Sequence, residues 1–288
     1  MVHYNKIPPL LEEIMAWEKE ITQKVPYLET PTGYFLQFDL MDNGGYRSSP
    51  ADTIMFAGTG MDGIHFSFLM DFGSVTDLSL APIIRVDPMD FGNCAKIVAK
   101  NIRDFFTLHF SAHEELLLND FESKVNYLNY LKEQEGDDEE ENEYFDKKKW
   151  QRQKSEVRDK AMQQFGFQPI LDGYAYMQEV RRARRNELIV TTSDGLGITV
   201  RGTPVDCLNR PVPHPWHMKE IPDRKVERLK SYITTAEQAG LFGFIRDCQF
   251  QGVDDYEVIK AICDKLISLG LPLEAKRLAH CMDISSLN

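Results

Sequence analysis

The sequence lacks any apolar run close to the roughly 18–20 residues needed to cross a bilayer. Its nearest approach, IVAKNIRDFF at 97–106, is broken by charges. The opening MVHYNKIPPLLEEIMAWEKE has no apolar stretch of the signal-peptide kind. A cytoplasmic chain with no membrane contact is therefore expected. Cysteine is scarce: Cys94, Cys207, Cys248, Cys263 and Cys281 make an odd set with no CxxC pair. That excludes a zinc ribbon and a dithiol redox motif, and it predicts reduced, mostly buried thiols. Basic residues are outnumbered, 33 against 45 acids, for a net charge of −12. Such a chain repels phosphate backbones, so nucleic acid is not an expected partner. What is present is ample apolar material, 42% of 288 residues, enough for one or two folded domains.

The hydrophobic period changes several times along the chain. Leu10, Leu11, Ile14, Met15, Trp17, Ile21 and Val25 recur at helical spacing between the Pro8-Pro9 pair and Pro26. Short aromatic and β-branched runs follow at 34–38, 53–57, 64–69 and 82–86. Glycine and proline turns separate them, which reads as a mainly antiparallel sheet. From Cys94 to His109 the spacing again predicts a helix, and a further helix is predicted over 116–131. The block EQEGDDEEENEYFD at 133–146 cannot bury its charge and reads as an exposed loop. It is followed by Lys147-Lys148-Lys149 on a helix predicted over 146–164. Runs at 188–192 and 196–200 flank Ser193-Asp194-Gly195 and predict a hairpin. The connector Pro211-Val212-Pro213-His214-Pro215-Trp216 then leads to helices expected at 223–239, 256–269 and 272–281. The fold class is thus α+β: a largely antiparallel sheet wrapped by helices, with a helical C-terminal portion.

Few residues carry a chemical signal. His109 and His113 stand four apart, the spacing of a metal pair on one helix face, against the alternative of histidines simply exposed near a helix end. His214 and His217 sit in PHPWH, where the sequence places no third ligand. Gly58-Thr59-Gly60-Met61-Asp62-Gly63 lacks the Lys-Ser/Thr ending of a phosphate loop and feeds a strand, so it reads as a hairpin turn. Asp62 and His65 can meet across it, with Ser67 on the same strand face. Arg181, Arg182, Arg184 and Arg185 form the densest basic patch, read as a solvated helix face in preference to a phosphate grip. No cofactor and no catalytic constellation is predicted.

The segments FAGTGMDGIHFSFLMDFG (56–73), APIIRVDPMDF (81–91) and KIVAKNIRDFFTL (96–108) resemble the SUKH superfamily. The resemblance covers up to a quarter of the chain and stops short of the second half. It implies a sheet of about six strands wrapped by helices over 1–132. The acidic loop at 133–146 then leads to an extension over 147–288 that can pack with the first part as one body. It also implies a non-enzymatic protein-interaction role. The bacterial reading is an immunity protein that neutralises a toxin, and the fungal reading is a regulator of cell-wall assembly. Phe66, Phe68, Asp71, Asp77 and Asp87 lie in the matching motifs and are the expected partner-binding positions. The acidic charge suits a basic toxin. Two competing expectations remain: a metal-dependent hydrolase using His65, His109 and His113, and a scaffold docking partners through C-terminal helices that expose Glu274, Lys276 and Arg277.

Overall fold

The computed structural model describes residues 6–136, 145–199 and 211–284. Most of the acidic block, together with Cys207, lies outside these residues. Strands β1 (Phe35–Leu36), β2 (Thr53–Gly58), β3 (His65–Leu69), β4 (Ile83–Val86) and β5 (Ala95–Ala99) form one antiparallel meander in sequence order. The α+β reading holds, with five strands among the described residues where the resemblance implies about six.

Each early helix has a local cause. Helix α1 (Pro9–Ile21) begins on a proline whose missing N–H is no loss in the first turn. It buries Leu11, Ile14 and Ile21. Asn101 caps α2 (Ile102–Leu108) by accepting the Asp104 N–H. The helix expected from Cys94 is thus a correction: its first third is β5, paired along β4, with Ala95 and Ile97 on one face of the sheet and Val98 on the other. The helix expected over 116–131 is split, at Asn119–Ser123, into α3 (Glu114–Leu118) and α4 (Lys124–Gly136). Asp146 and Asp172 cap α5 (Lys147–Phe165) and α6 (Gly173–Glu187). The C-terminal portion holds α7 (Val226–Thr235), α8 (Gln238–Gln251), α9 (Tyr256–Ser268) and α10 (Pro272–Cys281). Among the described residues, the hairpin expected over 188–200 is a single bridge, Val190 to Ile198.

The sheet is buried on both sides. Ile54, Phe56, Phe66, Phe68 and Val98 pack with α1, α2, α5 and α6 in the largest core. Leu69, Ile84, Val86 and Ile97 face the other way, against Val180 and Leu196. A second core gathers α7 to α10 around Ala51 and Phe72. The cores therefore do not divide at the acidic block. Helices α5 and α6 belong with the first core, and the change to the second comes near residue 190.

The two cores are joined by buried charge. Asp71 lies in a left-handed turn (φ 46°) and accepts two bonds of 2.6 Å from Arg184. Arg184 also donates to the carbonyls of Leu196 and Gly197. Arg246, on α8, donates to Asp52 at 2.7 Å and lies 3.3 Å from Asp194. Arg277, on α10, donates to the carbonyls of Leu40 and Ala51. Phe72 stacks on Phe242 at 4.2 Å beside these pairs. No described helix is long and apolar enough to cross a membrane.

Candidate functional site

A groove of about 560 Å³ opens where four segments meet: the loop before β2, the β4–β5 loop, the Asp194 turn and the end of α8. Its lip carries Phe91, 82% exposed, and Met89, 63% exposed, with Tyr46 and Phe250 opposite. The β4–β5 loop is shaped by an Asx turn in which Asp87 accepts the Met89 N–H. That turn throws Met89 and Phe91 outward. Tyr46 stacks on His65, and a side chain at Gly63 (φ +71°) would come within 2.5 Å of the Tyr46 ring. The glycine-rich turn therefore seats one wall of the groove.

The floor is electrostatically closed. Both bases that line the groove have acid partners: Arg47 bridges Asp254 at 3.2 Å, and Arg246 is held by Asp52 and Asp194. Burial raises the Asp52 carboxyl to about 6, although Arg246 opposes the shift. Burial works against the Arg246 charge as well, yet Asp52, Asp194 and Asp71 hold it protonated. Asp194 lines the groove but is spent on Arg246; Asp62 also lines it, and Asp87 and Asp90 flank its apolar lip. The accessible surface is thus apolar with an acidic margin.

Three of the expected partner-binding positions are corrected. Phe66 and Phe68 are wholly buried, because β3 is a central strand covered on both faces. Asp71 is buried under Arg184. Asp77 is exposed but serves as a cap, accepting the Ser79 N–H. Asp87 alone adjoins the groove. The arginine cluster is corrected in part: Arg182, paired with Glu179, and Arg185 are exposed on the helix face as expected, whereas Arg184 is an internal anchor and the half-buried Arg181 binds Asp120 and the Ile97 carbonyl. In the tail, Lys276 is exposed but Glu274 and Arg277 are buried.

The histidines of the hydrolase reading do not converge. His65 is bound between Ser49 Oγ and the Gly63 carbonyl. His109 and His113 do not share a helix face, because Ser111 and Ala112 leave helical geometry between them (Ala112 φ 64°). His113 spans Tyr127 Oη and the Ile170 carbonyl. His109 instead lies beside Tyr34. Among the described residues, metal-ligand geometry is met by His214, His217 and Asp247. There the sequence supplied the histidine pair, and α8 supplies the carboxylate. Asp247 is already engaged: it accepts the Ser193 N–H at 2.6 Å and lies 2.8 Å from His214 Nε2. His217 Nε2 meets Thr191 Oγ1. This arrangement ties the PHPWH connector to α8.

Sequence reasoning missed Asp52, Arg246 and Asp247. The signal for the last two was a pair of adjacent charges inside the mostly apolar GLFGFIRDCQF (240–250), which marks a buried helix whose charges need partners elsewhere in the fold; Asp52 carried no such signal. No family model matches this chain, and neither a curated protein nor a solved structure matches it.

Proposed function

We propose that this chain is a non-enzymatic binding protein whose docking surface is the groove between the β4–β5 loop and α8, and whose partner is a basic protein. The observation that carries the reading is the exposed Met89–Phe91 lip on a concave apolar surface with acidic margins. Exposed aromatic and methionine side chains grouped at a cleft are characteristic of interaction surfaces. With both lining bases already paired, the remaining field of the groove is acidic, in keeping with the net charge of −12. Opposite charge on the partner speeds encounter, while the buried apolar anchors set the lifetime of the complex. The resemblance to the SUKH superfamily makes a toxin-neutralising immunity role the specific form of this reading.

The test is a pull-down from the native host at low and high salt, with wild type and with Phe91→Ala/Met89→Ala. The reading expects a stable basic partner that is weakened by salt and lost in the double variant. Two hot-spot truncations should lower affinity by roughly 10²-fold or more. Failure to recover any stable partner at low salt, or capture indifferent to the double variant, refutes the proposal.

A further inference from the structure

His214 and His217 lie three residues apart in a stretch stiffened by Pro211, Pro213 and Pro215. A turn closed by the His217 N–H on the His214 carbonyl brings the two rings together, with centroids 5.9 Å apart and planes at 83°. Asp247 approaches them from α8. One ligand atom from each of the three side chains lies within 4.8 Å of the other two. His214 Nε2 and Asp247 Oδ2 are 2.8 Å apart. Around a zinc-sized ion with bonds of about 2.0–2.2 Å, tetrahedral ligand atoms sit roughly 3.3–3.6 Å from one another. The His214–Asp247 pair therefore has to open by less than about 1 Å, and the third ligand to draw in by no more than about 1.5 Å. Both movements are small for a half-buried His217 on a connector.

Charge points the same way. Asp247 is wholly buried, and among the described residues no lysine or arginine pairs with it. Its one titratable partner there is the His214 imidazole, whose side chain is also wholly buried. A carboxylate taken out of water needs an opposing charge. Protonating His214 supplies one only by burying a second charged group. A divalent ion supplies it and keeps both imidazoles neutral, the form in which they ligate. The surrounding contacts suit ligation as well. Asp247 Oδ1 accepts the Ser193 N–H at 2.6 Å, which fixes the carboxylate and leaves Oδ2 to face the ion. Thr191 Oγ1 meets a His217 ring nitrogen at 3.1 Å, so an outer-shell hydroxyl steadies that ring. Thr191 is exposed and His217 half-buried, which gives the ion a route from solvent on that side.

We propose that His214, His217 and Asp247 bind one divalent transition-metal ion of the zinc type, with water in the fourth position on the His217 side. Two imidazole nitrogens and one carboxylate oxygen suit zinc or cobalt, whereas magnesium and calcium take oxygen ligands. The ion clamps three segments at one point: the proline-rich connector, α8 and, through the Ser193 N–H, the Asp194 turn. Asp194 and Arg246 stand next to Ser193 and Asp247 in the chain and line the docking groove, so the ion stiffens that floor from behind.

The test is elemental analysis of the tag-free full chain after stripping with EDTA, loading with zinc and dialysis, together with the visible spectrum after cobalt loading. Wild type is expected to keep about one zinc per chain and to give the cobalt spectrum of a four- or five-coordinate site. His217→Ala removes a half-buried ligand and should weaken zinc by about 100-fold or more, past the 10–100-fold of a lost outer-shell contact. Asp247→Asn keeps an acceptor for the Ser193 N–H and should do the same; where it fails to fold, His217→Ala decides. Thr191→Ala should fall within about 10–100-fold. His280→Ala, at an exposed histidine, and Phe91→Ala, in the groove, should leave zinc unchanged, which separates this site from the surface and from the partner surface. Zinc should raise the urea midpoint of wild type but not of His217→Ala. Wild type that keeps less than about a tenth of an equivalent of zinc overturns the proposal. So does a full equivalent that His217→Ala keeps.

Discussion

Replacing Arg184 with methionine tests whether the two cores are joined by buried charge. Arg184 is 7% exposed and Asp71 1% exposed, and two 2.6 Å bonds link them. Methionine fills much of the arginine stem's volume but leaves Asp71 as a buried carboxylate without its main partner. Removing one member of such a pair costs about 3–5 kcal/mol, mostly because the remaining charge is stranded. Arg246 lies 3.8 Å from Asp71 and softens the loss. The carbonyls of Leu196 and Gly197, which also lose their donor, add to it. A net loss of about 3–4 kcal/mol follows. At about 2–4 °C per kcal/mol for a chain of this size, the melting temperature should fall by roughly 10 °C. The assay is urea unfolding, with Arg182→Met as the control. Arg182 pairs with Glu179 on an exposed helix face and should lose less than about 0.5 kcal/mol. A double-mutant cycle with Asp71→Asn, which suits the left-handed turn, should give a coupling above about 1.5 kcal/mol. Arg184→Met within about 1 kcal/mol of wild type would refute the reasoning, since no stranded buried charge is that cheap.

Two further outcomes are expected. Ala112 occupies a left-handed conformation (φ 64°) on the surface, so Ala112→Gly should raise stability by about 0.5–1 kcal/mol in the same urea assay; a loss of that size would show that the turn is not strained. Acid should act in two steps. His109, lowered to about 4 by burial, binds its proton more readily unfolded, so it costs stability as the pH drops from about 6.5 to 4, while Asp52, raised to about 6 by burial, binds its proton more readily folded and opposes that loss in the same window. Glu114 is held at about 2, where Lys154 and Arg158 overcome the cost of burial. Its contribution is complete above 4.5 and is lost as the pH falls from there through 2. Each step amounts to a few kcal/mol at most. Urea midpoints measured from pH 7 downward should show His109→Gln gaining stability relative to wild type between about pH 6.5 and 4, as Asp52 alone then titrates there, while the second step remains.

Elements with a local cause are legible in the amino-acid order alone. Pro9 starts α1, Asp146 and Asp255 cap α5 and α9, and glycine at 166 and 252 ends α5 and α8 in left-handed geometry. Alternation and turn residues located β2 to β4, and hence the α+β class. Patterns that serve two masters misled: 94–109 carries one apolar period across a strand and a helix, and only its place at the sheet edge tells them apart. Side-chain direction was equally hidden. Phe66 and Phe68 fit an exposed aromatic strand until β3 is seen covered on both faces, and Arg184 fits a solvated helix until Asp71 meets it from 113 residues away. The groove and the Asp52–Arg246–Asp194 floor join residues far apart in the chain. Local propensity and spacing do not encode such meetings. The tertiary structure decided them, because burial sets which charges must be paired and which polar atoms are left open.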